Sequence, residues 1–318
     1  MSAIASFPNR ASLALSLVIA AGCALLALAL AAHHPLSPLL ASLAVLAAAT
    51  AAARWWTRTP AVLMALLPWI GLAPWTGWIT FEELDLLVLA CAAGGYLALG
   101  LRMPPQDRAP TWRRALSFSG PVLLLMALFT VSLLLSMERG FADAGGFEWG
   151  WFQGYFEPMN SVRLVKSFFE VLLLMPLWVQ AAQTRPRELT QALLYGMALA
   201  LAGVCAAAIW ERSVNTGGLL DFSSDYRSTA LFWEMHVGGA ALDGCLALTV
   251  PFAVLALLRA GSPRMFVALL VLATASVYVS LTTFSRGVYM ALPIGLALMV
   301  QLRGAQRRRA LEAPAPTT

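Results

Sequence analysis

Charge is scarce in this chain. Of 318 residues only 12% are Asp, Glu, Lys or Arg, against 60% hydrophobic. With a mean hydropathy of +0.74, that balance excludes an ordinary soluble domain, in which about a quarter of residues are charged. Cysteine is rare too. Cys23, Cys91, Cys205 and Cys245 stand singly inside apolar runs, without paired or metal-like spacing, and read as small packing residues. Lysine is almost missing: Lys166 is the only one. No phosphate-cradling loop, dinucleotide fingerprint, zinc-type His/Glu pair or nucleophile elbow occurs, so no cofactor and no metal is expected. The ten-residue alternation of barrel strands is also absent.

What the chain has is long apolar runs. Many reach roughly 17–25 residues, the length of helix that crosses a ~30 Å hydrocarbon core. The expected fold is all-α, a polytopic helical membrane protein with about ten transmembrane helices. The candidate spans are 12–31, 37–53, 60–79, 84–101, 116–136, 164–182, 190–210, 240–258, 265–282 and 288–302. The first run is too long for a signal-peptide core and is taken as a span. Residues 1–303 form one expected transmembrane domain, and 304–318 a basic, Pro/Ala-rich cytoplasmic tail that anchors at an anionic leaflet.

Arginine sets the orientation. With the N-terminus inside, 15 of the 21 basic residues fall on the cytoplasmic side, which favours an N-in, C-in topology. The net charge of +5 then reflects topology, and no nucleic-acid partner is expected. Two longer connections, about 137–163 and 211–239, lie on the periplasmic side. The first carries Trp149, Trp151, Phe152, Tyr155 and Phe156 among glycines. These aromatics suit an interfacial belt, and equally a sugar ring or lipid head group.

Six basic residues go against the inside bias: Arg139, Arg163, Lys166, Arg212, Arg227 and Arg286. Arg163 and Lys166 share a helix face with Glu170, where Lys166 and Glu170 are spaced for a salt bridge. Charges this near a span are either a structural pair or functional. Arg286 lies in "TTFSRGVYM", between Ser285 and Gly287, at the expected outer start of the last helix. Helix-start amides beside a guanidinium make a strong anion binder, and the alternative is a snorkelling boundary arginine. Arg227 follows Tyr226 and precedes Glu234 and His236, a candidate proton shuttle. Asp243 lies within a span and needs a partner, for which Arg227 and Arg286 are candidates. His33 and His34 read as turn residues.

Over residues 115–303, the segments "YRSTALFWEMHVGGAALDGCLALTVPF" and "SLTTFSRGVYMALPIGLAL" resemble the O-antigen ligase and polymerase superfamily. The resemblance implies glycosyl transfer at the periplasmic face of a bacterial inner membrane. The donor would be a glycan on undecaprenyl diphosphate, and the acceptor another glycan or a lipid. It implies catalytic roles for Arg286, Arg227 and His236, with Ser285, Gly287, Arg163, Lys166, Tyr226 and Glu234 binding substrate. Catalysis would be electrostatic and independent of metal. Family members continue into a large periplasmic loop with a histidine and further spans, whereas this sequence runs into its basic tail. Either His236 or nothing supplies that role, or the chain is one half of a split protein completed by a second polypeptide, a truncated product or a divergent non-catalytic relative. The competing expectations are a flippase for a lipid-linked saccharide, coupled through Glu170 and Asp243, and a non-catalytic accessory subunit.

Overall fold

The computed structural model describes residues 10–70, 80–102, 120–151, 153–154, 156–223, 226–232 and 240–312. Ten α-helices and one short 3-10 turn occur among them, and no strand. The helices are α1 (Arg10–Ala31), α2 (Pro38–Trp55), α3 (Thr59–Ile70), α4 (Glu83–Arg102) and α5 (Gly120–Asp143). They continue as α6 (Met159–Thr184), α7 (Pro186–Asn215), α8 (Ala240–Leu257), α9 (Pro263–Thr282) and α10 (Arg286–Glu312). Among the described residues seven helical stretches are long and apolar enough to cross a membrane, with Pro38–Ile70 counted as one of them. The chain is therefore an all-helical, polytopic membrane protein.

Helix starts follow local chemistry. Ser37 and Ser262 cap α2 and α9, each followed by proline at the first helical position, where its missing N–H costs nothing. Several helices run past the apolar stretch that marks them in the sequence. α5 continues to Asp143, α6 begins at Met159 and α7 reaches Asn215, so both long connections are shorter than expected. α10 continues through the basic segment to Glu312, where the sequence leads one to expect a tail from residue 304. Hydropathy finds only the part of a helix in hydrocarbon; hydrogen bonding carries the helix on into polar sequence.

The described chain divides into two compact units, 1–193 and 194–318. In the first, α4 is the centre, packed against α1, α2, α3 and α6. Its sequence "LACAAGGYLALG" is small where neighbours press closest. A Cβ on Gly94 would lie 2.1 Å from the Ala49 carbonyl oxygen of α2. One on Gly95 would lie 2.6 Å from Leu177 of α6. Close backbone approach of this kind drives helix association in lipid, where the hydrophobic effect offers nothing between helices. Tyr96, 1% exposed, donates its hydroxyl to the Leu173 carbonyl on α6 at 2.7 Å. α5 packs on α6 with Phe129 edge-on to Phe168, centroids 5.0 Å apart, and has no buried residue.

In the second unit α8 packs against α9 and α10. Leu194 and Ala198 of α7 join Ala256 and Leu269 in its apolar core. Residues 226–228 bond the end of α7, the start of α8 and the end of α9, and Asp243 of α8 bonds Ser285 just before α10.

Candidate functional site

The end of the second unit is built around two consecutive residues of α7, Glu211 and Arg212. Arg212 is 0% exposed and donates to two loop carbonyls, Tyr226 at 3.1 Å and Asp221 at 2.5 Å. Its guanidinium also lies 5.8 Å from the Phe222 ring centre. Glu211 accepts from the Tyr226 hydroxyl at 2.7 Å, the Thr229 hydroxyl at 2.9 Å and the Ala230 amide at 2.7 Å. The Thr229 amide donates to it as well. This grip holds Ala230 at φ +55°, a left-handed conformation that costs a non-glycine residue about 1–2 kcal/mol. Burial, and then the bond to Glu211, push the Tyr226 hydroxyl up to about 12. Tyr226, expected to touch substrate, is committed to this knot.

The knot delivers Arg227. Its Nη2 donates to Asp243 Oδ2 at 2.9 Å, with the arginine side chain 35% exposed and the aspartate 20%. Ser285 donates its hydroxyl to the same carboxylate oxygen. Asp243, in the first turn of α8, thus gathers the loop and the start of α10. Phe284 bends the chain at φ +49°, and α10 then begins at Arg286. Arg286 and Gly287 are both exposed. Among the described residues no hydrogen bond or ion pair engages the Arg286 guanidinium. The two arginines named by the sequence therefore differ: Arg227 is neutralised by Asp243, and Arg286 presents its charge to the surroundings. His236 and Glu234 lie outside the described residues.

Polar residues also gather at one end of the first unit. Lys166 of α6 pairs with Asp85 of α4 at 2.6 Å, their side chains 11% and 5% exposed. The i+4 spacing points Lys166 to Glu170. It is instead Asp85 that takes the ion pair, and Glu170 approaches the same carboxylate. α4 and α6 pack together here, so a partner across the interface is nearer than one along the helix. Arg163 Nε donates to Asn160 at 3.1 Å. Burial pushes the Glu82 carboxyl up to about 7; Lys166 opposes the rise and Asp85 adds to it.

An aromatic wall stands beside these charges. Trp149 and Trp151 meet edge to face at 5.2 Å, and Phe81 lies 5.9 Å from each. His33 stacks on Trp151 at 4.5 Å, while His34 faces Glu83 at 3.2 Å. The two turn histidines are thus parts of this end. Phe152 and Tyr155 lie outside the described residues.

Among the described residues no three His, Cys, Asp or Glu side chains come together to hold a metal ion. Sequence reasoning missed Asp85, Glu82 and Glu211. The signal for the first two was "FEELDLL", three acids opening an apolar run. For Glu211 it was the pair Glu-Arg closing one. Comparison with family models, curated proteins and solved structures gave no match.

Proposed function

We propose that the chain transfers a glycan from undecaprenyl diphosphate to a glycan or lipid acceptor, in cell-surface polysaccharide assembly. The observation that carries this reading is Arg286, an exposed guanidinium on the first residue of α10 that is unpaired among the described residues. Unsatisfied first-turn amides and a planar, permanently charged fork favour a dianionic diphosphate over any neutral group. In the N-in orientation favoured by the arginine distribution, this end faces the periplasm of a bacterial inner membrane. Stabilising the charge that develops on a departing diphosphate needs neither metal nor nucleotide. Gly287, also exposed, lets the ligand approach the backbone.

The test is Arg286→Ala and Arg286→Lys in the native host. Both abolish surface polymer while membrane levels of the protein stay normal, because a lysine cannot reproduce bidentate contact. Normal polymer in both variants sinks the reading. A second reading, a flippase for a lipid-linked saccharide, draws on the buried Asp85–Lys166 pair with Glu170 beside it. Glu170-dependent flux of lipid-linked sugar across proteoliposomes would favour it over transfer.

A further inference from the structure

Around Arg227 three buried polar atoms make no hydrogen bond to a described residue: Arg227 Nε, Ser228 Oγ and Asp243 Oδ1. Arg227 and Asp243 are bonded to each other, and Ser228 follows Arg227 in the chain. Arg227 and Asp243 share a single bond, Nη2 to Oδ2 at 2.9 Å. A guanidinium and a carboxylate commonly form two parallel bonds, so this pair leaves an N–H donor and a carboxylate acceptor unused. Ser228 is 0% exposed and is fixed by its amide, which donates to the Thr282 carbonyl at 3.3 Å. Three residues on, Ser285 holds the other oxygen of Asp243. Buried polar atoms without partners cost about 1–3 kcal/mol each, and native proteins keep few of them.

The chemistry of the three atoms selects their ligand. A phosphate would face the Asp243 carboxylate, a cation would face the Arg227 guanidinium, and an apolar group would satisfy none of them. A hydroxyl donates and accepts at once. It can give its proton to Asp243 Oδ1 while its lone pairs take the Arg227 N–H and the Ser228 O–H.

We infer that Arg227, Ser228 and Asp243 form the subsite for the acceptor's hydroxyl, and that Asp243 is the base that takes its proton. The inference rests on the reading of Arg286 as the diphosphate site. In the step, the acceptor oxygen bonds the donor's anomeric carbon as its O–H bond breaks, and the proton passes to Asp243 Oδ1. The bond from that carbon to the diphosphate breaks, and its electron pair leaves on the diphosphate at Arg286. Arg227 thereby serves the acceptor, through its pairing with Asp243, and Arg286 serves the donor.

The experiment uses the full chain in lipid nanodiscs. Undecaprenyl diphosphate is the binding probe, and lipid-linked oligosaccharide extracted from host membranes is donor and acceptor for transfer. Ser228→Ala is expected to raise the acceptor KM about tenfold, the loss of one buried hydrogen bond. Asp243→Asn is expected to lower kcat at least a hundredfold and to remove the rise of rate with pH, as loss of a general base does. Ser228→Ala keeps the undecaprenyl diphosphate Kd within threefold of the parent, whereas Arg286→Ala raises it. Unchanged acceptor KM in Ser228→Ala, or an unchanged pH profile in Asp243→Asn, overturns the subsite. So does a map of the acceptor-bound protein with only ordered water on the three atoms. If the parent chain fails to bind undecaprenyl diphosphate, or binds it independently of Arg286, the diphosphate reading itself has failed.

Discussion

Two ion pairs of the same kind do different work in this protein. Lys166–Asp85 is short, 2.6 Å, nearly sealed, and packed beside aromatic rings, with Lys166 5.8 Å from the Phe81 ring centre. Arg227–Asp243 is longer, 2.9 Å, partly exposed, and leaves a donor and an acceptor unused. The first pair joins α4 to α6 across a helix interface. The second ties a loop to the starts of two helices, beside Arg286, which has no partner among the described residues. Burial and full pairing mark structure; partial exposure and incomplete pairing mark a place where a ligand completes the bonding.

The largest effect expected from breaking this comparison is on the sealed pair. Lys166→Met strands the Asp85 carboxylate and is expected to destabilise the protein by about 3–5 kcal/mol, read from unfolding in detergent. The double variant Lys166→Met with Asp85→Leu recovers most of that loss. A double variant as unstable as the single one would mean that the pair is not what holds α4 and α6.

Next in size is the pH dependence carried by Glu82. Its carboxyl is pushed up from 4.5 to about 7 in the folded protein, so the folded state binds more protons between those values. Its contribution is therefore fully favourable below about pH 4.5 and falls as pH rises to about 7, then levels off. Glu82→Gln removes this slope and at pH 8 gains at most about 3 kcal/mol. A parallel pH–stability curve in the variant would remove burial of Glu82 from the account.

The smallest stability effect belongs to the open pair. Arg227→Met is expected to cost about 1 kcal/mol, as partly exposed pairs do, while polymer assembly is lost. A loss as large as that of Lys166→Met would erase the distinction between the two pairs.

Much of this architecture is legible in the chain. An apolar run marks each of the ten helices among the described residues, and seven stretches have the length that hydrocarbon thickness imposes. Helix ends are less legible: α10 runs through three arginines to Glu312, since nothing in hydropathy stops a helix in water. The start of α10 at Arg286 is readable from "SRG". The pairing of Asp243 with Arg227 was one of two alternatives that composition leaves open, and only packing chooses between them. Lys166 shows the limit most clearly. Its neighbour along the sequence is Glu170, but its partner lies 81 residues away on α4, and no spacing rule reaches that far. Glu211 escapes notice for a related reason: it binds amides and hydroxyls of a loop whose course the sequence does not specify.

The position of α4 bears on how the protein is made. α1 and α2 leave the ribosome before α4, the helix against which both of them pack. Until then their alanine-rich faces, including Ala27, Ala31, Ala49 and Ala52, meet only lipid or each other. The α1–α2–α4 packing therefore forms only after α4 is inserted, with Gly94 admitted against the α2 backbone, and α6 seats later against Gly95. A bulky residue in place of Gly94 would act during membrane insertion, trapping an early two-helix hairpin for quality control before any finished protein exists to be inactive.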